Sequence, residues 1–209
     1  MLIDEDIETI TITTNYETEL YIPYTFMQYN NERLTELPDL SNYKNLRKLN
    51  INNHQIRDLG ILPDTLQELY CYNNQISNFA NLPSNLKILN CSNNCGLISL
   101  DNLPIGLEYL NCSCNAIQTL DFLPIGLQVL ECDNMLLSSL DYLPFNLKKL
   151  SCRSNHIKTL NNLPNNLIYL DCSYNFGLHL DNIPSTVKEL VICGVSSVNI
   201  NNNDIAIYR

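Results

Sequence analysis

From Leu46 onward the apolar residues fall into one spacing that returns about every twenty positions. Leu46-x-x-Leu49-x-Ile51 is followed by Ile56, Leu59 and Leu62-Pro63; the next row repeats it as Leu66-x-x-Leu69-x-Cys71, then Ile76, Phe79 and Leu82-Pro83. Further rows begin at Leu86, Leu107, Leu127, Leu147, Leu167 and, more loosely, Val187. Prolines at 63, 83, 104, 124, 144, 164 and 184 mark the period, and only the Pro83-to-Pro104 interval is one residue longer, at Asn94-Cys95-Gly96-Leu97. A fixed short period means one small unit stacked on copies of itself, each touching only its neighbours.

Within a row, the stretch around Leu69-Tyr70-Cys71-Tyr72 alternates apolar and polar positions, the signature of a short strand. Leu69 and Cys71 point inward and Tyr70 and Tyr72 outward. A unit of this length has no room for a return helix of several turns. The Leu-Pro segment is therefore expected to run back extended or polyproline-like, with at most one 3₁₀ turn. Proline suits that outer segment, where no ladder donor is needed. The inward columns form the core, and truncating a central leucine such as Leu110 or Leu130 to Ala should cost roughly 2–5 kcal/mol.

The string L-x-x-L-x-C-x-x-N-x-I-x-x-L has the spacing of leucine-rich repeats. The short unit and its Leu-Pro-x-x-Leu lead-in resemble the repeats of bacterial secreted effectors; arrays in giant viruses and amoebae are similar. The resemblance covers Leu46 to about Val195. It implies a mainly β solenoid: an arc with a parallel concave sheet, an extended or 3₁₀ convex side and little helix. It implies a surface for binding rather than any particular chemistry. Residues 1–30 are expected to form a β-rich N-terminal cap, since Ile7, Ile10, Ile12 and the threonines between them favour strand. Effector arrays usually open instead with a helical hairpin. Residues 31–195 form the array, about eight regular rows after a degenerate first one. Residues 196–209 form a C-terminal cap, with Val198, Ile200, Ile205 and Ile207 offering a closing strand. A solenoid end left incompletely capped exposes apolar edge, which makes a homodimer through that end a natural remedy.

Three polar columns accompany the leucines. Asn74, Asn94, Asn115, Asn155 and Asn175 follow the strand; the resemblance implies that they look inward and bond turn backbone that would otherwise be buried unpaired. His54 and Met135 break this column, so their rows are expected to be irregular, with the shifted Asn53 and Asn134 compensating. Cys71, Cys91, Cys112, Cys132, Cys152 and Cys172 occupy an inward position and read as small hydrophobes. Cys91 and Cys95 are the nearest approach to a zinc pair, and no second pair completes four ligands. Cys112 and Cys114 are placed on one strand, with Cys114 exposed. Asp101, Asp121, Asp141 and Asp181 read as turn carboxylates bonding amides two residues on, rather than as a calcium ladder. Such carboxylates, about 5 Å apart, repel by roughly 0.8 kcal/mol before screening, so salt should help the fold slightly.

Charge narrows the partners. The net charge is −10 and the pI about 4.6. Lys and Arg are scattered and form no basic stripe, which argues against nucleic acid and against anionic membranes. No apolar run is long enough for a signal peptide or a membrane span. With the free-thiol reading this points to a reducing cytoplasm, or a host cytoplasm for a viral or effector protein. No metal or cofactor is expected. Cys114 or Cys193 as a nucleophile would need a nearby base, and His54, His156 and His179 fall out of phase with them, so the chain is not read as an enzyme.

The outward strand positions then become the candidate site. Ile88, Tyr109 and Val129 form an apolar strip across successive rows, with Tyr70 and Tyr72 beside it and Glu131 in the adjacent column. Tyr169 and Tyr174 form a second aromatic group next to Arg153 and Asp171. Tyrosine offers rigid area with a polar tip, which protein-binding surfaces favour. The competing reading is that exposed Tyr, Ile and Val merely serve strand propensity. The leading expectation is a non-catalytic protein-interaction scaffold. A self-associating structural protein is the alternative, and an adaptor or effector acting on a host protein comes after it.

Overall fold

The computed structural model describes residues 13–15, 18–22, 33–181, 183–198 and 204–209. Its strands are β1 (Thr13–Asn15), β2 (Glu19–Tyr21), β3 (Lys48–Asn50), β4 (Glu68–Tyr70), β5 (Ile88–Asn90), β6 (Tyr109–Asn111) and β7 (Val129–Glu131). They continue with β8 (Lys149–Ser151), β9 (Tyr169–Asp171), β10 (His179–Leu180), β11 (Glu189–Val191), β12 (Ser197–Val198) and β13 (Ala206–Tyr208). Eleven strands make one sheet in the order β1 to β9, then β11 and β13, while β10 and β12 pair separately. Every pairing in the large sheet is parallel except β1 with β2. The described residues contain no helix.

Register follows from the leucines. Leu49, Leu69, Leu89, Leu110, Leu130, Leu150, Leu170 and Leu190 stand opposite one another in successive strands, all fully buried. A slip of one residue would turn this column out to water, so burial fixes the pairing. The ladder continues past each strand: Cys71 N donates to Asn90 O at 2.8 Å and Asn73 N to Ser92 O at 3.0 Å. The chain then turns sharply, with Asn53, Asn73, Asn93, Cys114, Asn134, Ser154 and Tyr174 all at φ between 52° and 66°. Asparagine tolerates this left-handed geometry better than most residues. Asn53 and Asn134 therefore hold the turn shared by all rows and do not compensate for His54 and Met135. Cys114 belongs to this turn too, beyond the end of β6.

The return path is extended and broken by short turns, of which the one after the proline recurs in every row. Leu66 N donates to Pro63 O at 3.0 Å, and the same bond recurs at Leu86, Leu107, Leu127, Leu147, Leu167 and Val187. Pro83, Pro104, Pro124, Pro144 and Pro164 are buried between rows rather than lying on the outside. The rigid ring fills space there while its carbonyl starts the turn that leads into the next strand.

The parallel ladder begins inside the segment assigned to the N-terminal cap. Glu19–Tyr21 pairs with Lys48–Asn50, so Leu20 and Ile22 take the places of Leu49 and Ile51 and are buried like them. Ile7, Ile10, Ile12, Ile200 and Asn201–Asn203 lie outside the described residues. At the other end Val198 joins β10 through β12, while Ile207 stands opposite Leu190 in the last strand of the large sheet.

The inward asparagines do what their position requires. Asn74 Nδ2 donates to Ile51 O at 2.8 Å and Cys71 O at 3.1 Å, and its Oδ1 accepts from Ile56 N at 3.1 Å. Each amide thus spans its own row and the one before. Asn115 and Asn155 cover the Cys112 and Cys132 carbonyls on either side of Met135, which packs apolar and 2% exposed in the gap. The row is not disrupted. At His54 an imidazole replaces the amide: Leu34 N donates to Nδ1 at 3.3 Å, and Nε2 stands 3.2 Å from Ile22 O. That pair of bonds defines the neutral tautomer with the proton on Nε2.

The six inward cysteines are fully buried. Burial pushes their thiols well above the ordinary range. Several donate to the next row, as Cys132 Sγ does to Ser151 O at 3.3 Å. The turn carboxylates are not where the sequence suggested. Asp39 and Asp58 accept from Ser41 N and Gly60 N, whereas the equally exposed Asp101, Asp121, Asp141 and Asp181 make no such bond among the described residues. At Asp101 the bond runs the other way, from its amide to Ser99 Oγ.

Candidate functional site

The strand column that leads the concave face runs Lys48, Glu68, Ile88, Tyr109, Val129, Lys149, Tyr169 and Glu189, each opposite the next in register. Ile88, Tyr109 and Val129 are therefore contiguous and half-buried. Tyr70 lies in the adjacent column, opposite Asn90, and Tyr72 just beyond it. Both are half-buried.

Polar groups on this face are tied to one another. Tyr109 Oη donates to Glu131 Oε1 at 3.0 Å, and Asn111 Nδ2 donates to Glu131 Oε2 at 2.7 Å. Burial and the Glu131 charge push the Tyr109 phenol up to about 12, so it stays a neutral donor across the physiological range. Tyr70 Oη donates to Glu68 Oε2 at 3.1 Å, while Lys48 Nζ lies 3.8 Å from Glu68 Oε2 and 5.7 Å from the Tyr70 ring centroid. Burial and then Glu68 raise the Tyr70 phenol in turn.

The second group gathers around Arg153. Its Nε is 3.6 Å from Asp171 Oδ2, and its guanidinium lies 5.8 Å from the Tyr174 ring centroid. Asp171 is 4% exposed and accepts from Ser173 N at 3.0 Å. Asp133 accepts from Ser151 Oγ at 2.7 Å and from Arg153 N at 2.8 Å; burial nevertheless raises its carboxyl. Burial, followed by the Asp171 charge, raises the half-buried Tyr169 phenol. Tyr174 sits on the left-handed turn at the rim, not on the strand.

The third outward column is partly consumed by the scaffold. Asn52 Oδ1, Ser113 Oγ, Asp133 Oδ1 and Ser173 Oγ each accept from a backbone amide one row on. Sequence alternation marks these as outward but not that the next row claims their oxygens.

Catalytic groupings are sparse. His179 Nδ1 lies 2.6 Å from Ser197 Oγ, but the two are simple cross-strand partners on an exposed ladder. Among the described residues no cluster of three or more His, Cys, Asp or Glu could hold a metal ion, and no helix is long and apolar enough to cross a membrane. The exposed thiols are Cys95 and Cys114, with Cys193 partly covered.

Sequence reasoning looked for apolar surface on the strands and missed a more exposed one on the turns. Ile105, Ile125 and Phe145 follow three successive prolines and are 78, 66 and 65% exposed. Phe122 and Tyr142, three residues before the last two of these, are 87 and 72% exposed. The signal was present in the residue after each Leu-Pro, which is Asp64, Ser84, Asn165 or Ser185 in the flanking rows.

No protein-family model matches the chain, and no curated protein matches it in sequence. Solved structures do. YopM from Yersinia enterocolitica is similar at 27% identity and a TM-score of 0.70, over 86% of this chain and 49% of that one. The chain thus spans about half the length of that neighbour. A Shigella effector leucine-rich-repeat domain is similar at 24% identity and a TM-score of 0.58, covering 85% of this chain and 70% of the other. CroV588, described as a circular leucine-rich-repeat protein, is similar at 20% identity and a TM-score of 0.54, over 79% and 30% of the two chains. The leucine register, the inward asparagines and these neighbours agree: the chain is a leucine-rich-repeat solenoid, similar in fold to leucine-rich-repeat proteins of bacterial effector and giant-virus type.

Proposed function

We propose that this chain is a non-catalytic protein-interaction scaffold that engages a protein partner through the concave face. The observation that supports this most is the joining of the strip Ile88, Tyr109 and Val129 to the fixed Tyr109–Asn111–Glu131 bonds. An apolar strip with held polar groups is already ordered before binding, so little side-chain entropy is lost on contact. Arg153, Asp171, Tyr169 and Tyr174 supply a second anchor one to two rows beyond Val129, and Tyr70 and Tyr72 extend the first.

A catalytic role is disfavoured because the buried thiols are held protonated and His54 is engaged with backbone. Association through a solenoid end is the second reading, motivated by Ile207 and Tyr208, which are 38 and 54% exposed on the terminal strand β13. Action on a host protein remains a form of the first reading.

The test is affinity capture from a native or host lysate with the wild type and with Tyr70→Ala/Tyr109→Ala/Tyr169→Ala. The reading expects specific proteins recovered by the wild type and lost by the triple variant at unchanged melting temperature. Undiminished recovery refutes the concave face, and light scattering that shows a dimer with no captured protein favours self-association.

A further inference from the structure

The turn patch is an exposed apolar feature of the described surface that neither the fold nor the concave reading uses. Strand propensity does not account for it, because Ile105, Ile125 and Phe145 stand on turns where the flanking rows carry Asp64, Ser84, Asn165 and Ser185. The turn itself is held by Leu107 N, Leu127 N and Leu147 N donating to the proline carbonyls, which requires nothing of the exposed side chain. The turns are stacked firmly: Asn146 Nδ2 donates to Ile125 O at 3.0 Å and Asn166 Nδ2 to Phe145 O at 3.1 Å. Contiguous exposed apolar area of this kind marks interaction sites on soluble domains.

Charge on the two flanks is unequal. On one side, hollows between rows place Phe122 with Asp101 and Asp121, and Tyr142 with Asp121 and Asp141. None of these three aspartates enters an ion pair among the described residues. On the other side lies a groove lined by Lys87, Glu108, Gln128 and Lys148, where Lys87 is paired and Lys148 keeps its positive charge because its partner is a neutral amide. Lys87 Nζ is 3.1 Å from Glu108 Oε1, and Lys148 Nζ donates to Gln128 Oε1 at 2.9 Å. The border of the patch therefore offers uncompensated negative charge on one flank only.

Spacing selects the shape of the occupant. Parallel rows repeat at about 4.8 Å, so Ile105 to Phe145 spans about 10 Å. Seven residues of an α-helix rise about 10.5 Å, close to one helical turn per row. An amphipathic helix lying along the solenoid axis thus sets apolar side chains at i, i+3 or i+4 and i+7 over Ile105, Ile125 and Phe145. Its flanking Lys or Arg then meet Asp101, Asp121 and Asp141.

We infer that this turn face is a second docking surface, separate from the concave one, for a basic amphipathic helix of another protein. The described residues of this chain contain no helix, so a second copy does not supply one from them.

A phage-displayed library of 16-residue peptides, panned on the full chain and counter-panned on Ile125→Asp/Phe145→Asp, tests this. The expected winners are peptides with helical apolar spacing and flanking Lys or Arg. Their affinity should fall at least tenfold with Ile125→Asp/Phe145→Asp. It should fall several-fold with Asp121→Asn/Asp141→Asn, with a weaker dependence on salt, and be unchanged by Tyr109→Ala/Tyr169→Ala. Absence of such winners overturns the inference, as does binding that survives the patch substitutions. Light scattering showing a wild-type dimer that the patch variant converts to monomer also overturns it, because a second copy is then the occupant. The concave reading stands or falls separately on the tyrosine variants.

Discussion

At His54 the array exchanges an amide for an imidazole and keeps the two bonds to the preceding row, from Leu34 N and to Ile22 O. Burial, reinforced by the nearby Arg33 charge and opposed by the bond to Ile22 O, lowers its pKa from the ordinary 6.5. The unfolded chain consequently binds more protons than the folded one as pH falls. The stability contributed by neutral His54 is complete above about pH 6.5 and is lost as pH drops below that value toward the folded pKa. Urea unfolding at pH 7.5 and 5.5 should show this loss, and His54→Gln should flatten it. An unchanged slope in the variant would assign the acid sensitivity elsewhere. The thiols make a second residue-scale prediction. Native protein should react with a thiol reagent at Cys95 and Cys114 quickly and Cys193 more slowly, leaving the six buried cysteines protected until denaturation. Rapid labelling of Cys112 or Cys132 would contradict the packing. That these cysteines are core was legible from their inward phase. The partners of His54 were not, because Leu34 N comes from the degenerate first row and Ile22 O from the segment assigned to the cap, where the leucine spacing is lost.

At the scale of one row, the leucine and the asparagine carry different parts of the stability. Leu110→Ala leaves a cavity at the centre of the stack and should cost roughly 2–5 kcal/mol. Asn115→Ala removes bonds to the Cys91 and Cys112 carbonyls and to Asn94 N in a fully enclosed setting. Asn94 Nδ2 still serves the Cys91 carbonyl, but the Cys112 carbonyl and Asn94 N are left unpaired, so the change should cost about 3 kcal/mol. Met135 shows why the column tolerates one gap, since Asn115 and Asn155 close over it from both sides. Replacing two adjacent members, Asn94 and Asn115, should therefore cost more than the sum of the single changes, and a double-mutant cycle by chemical denaturation reads this directly. Strand, register and inward columns were visible in the sequence because burial repeats with the row. The turn patch was overlooked because it consists of departures from the repeat, in positions where periodicity asks for no particular side chain.

Across the whole molecule, the rows form one sheet, and the two surfaces of interest lie on its strands and on the turns that lead into them. The concave face carries a half-buried strip with its polar groups already bonded. The turn face carries largely exposed apolar side chains beside carboxylates that enter no ion pair among the described residues. A net charge of −10 keeps such a surface soluble and favours basic partners over acidic ones. The most direct measurement of the central proposal is hydrogen–deuterium exchange on the chain alone and with its captured protein partner. Binding through the concave face predicts added protection in peptides containing Tyr109–Asn111, Val129–Glu131 and Tyr169–Asp171, with their return-side segments unchanged. Protection absent from these strands, or confined to the turns around Ile105, Ile125 and Phe145, would contradict it.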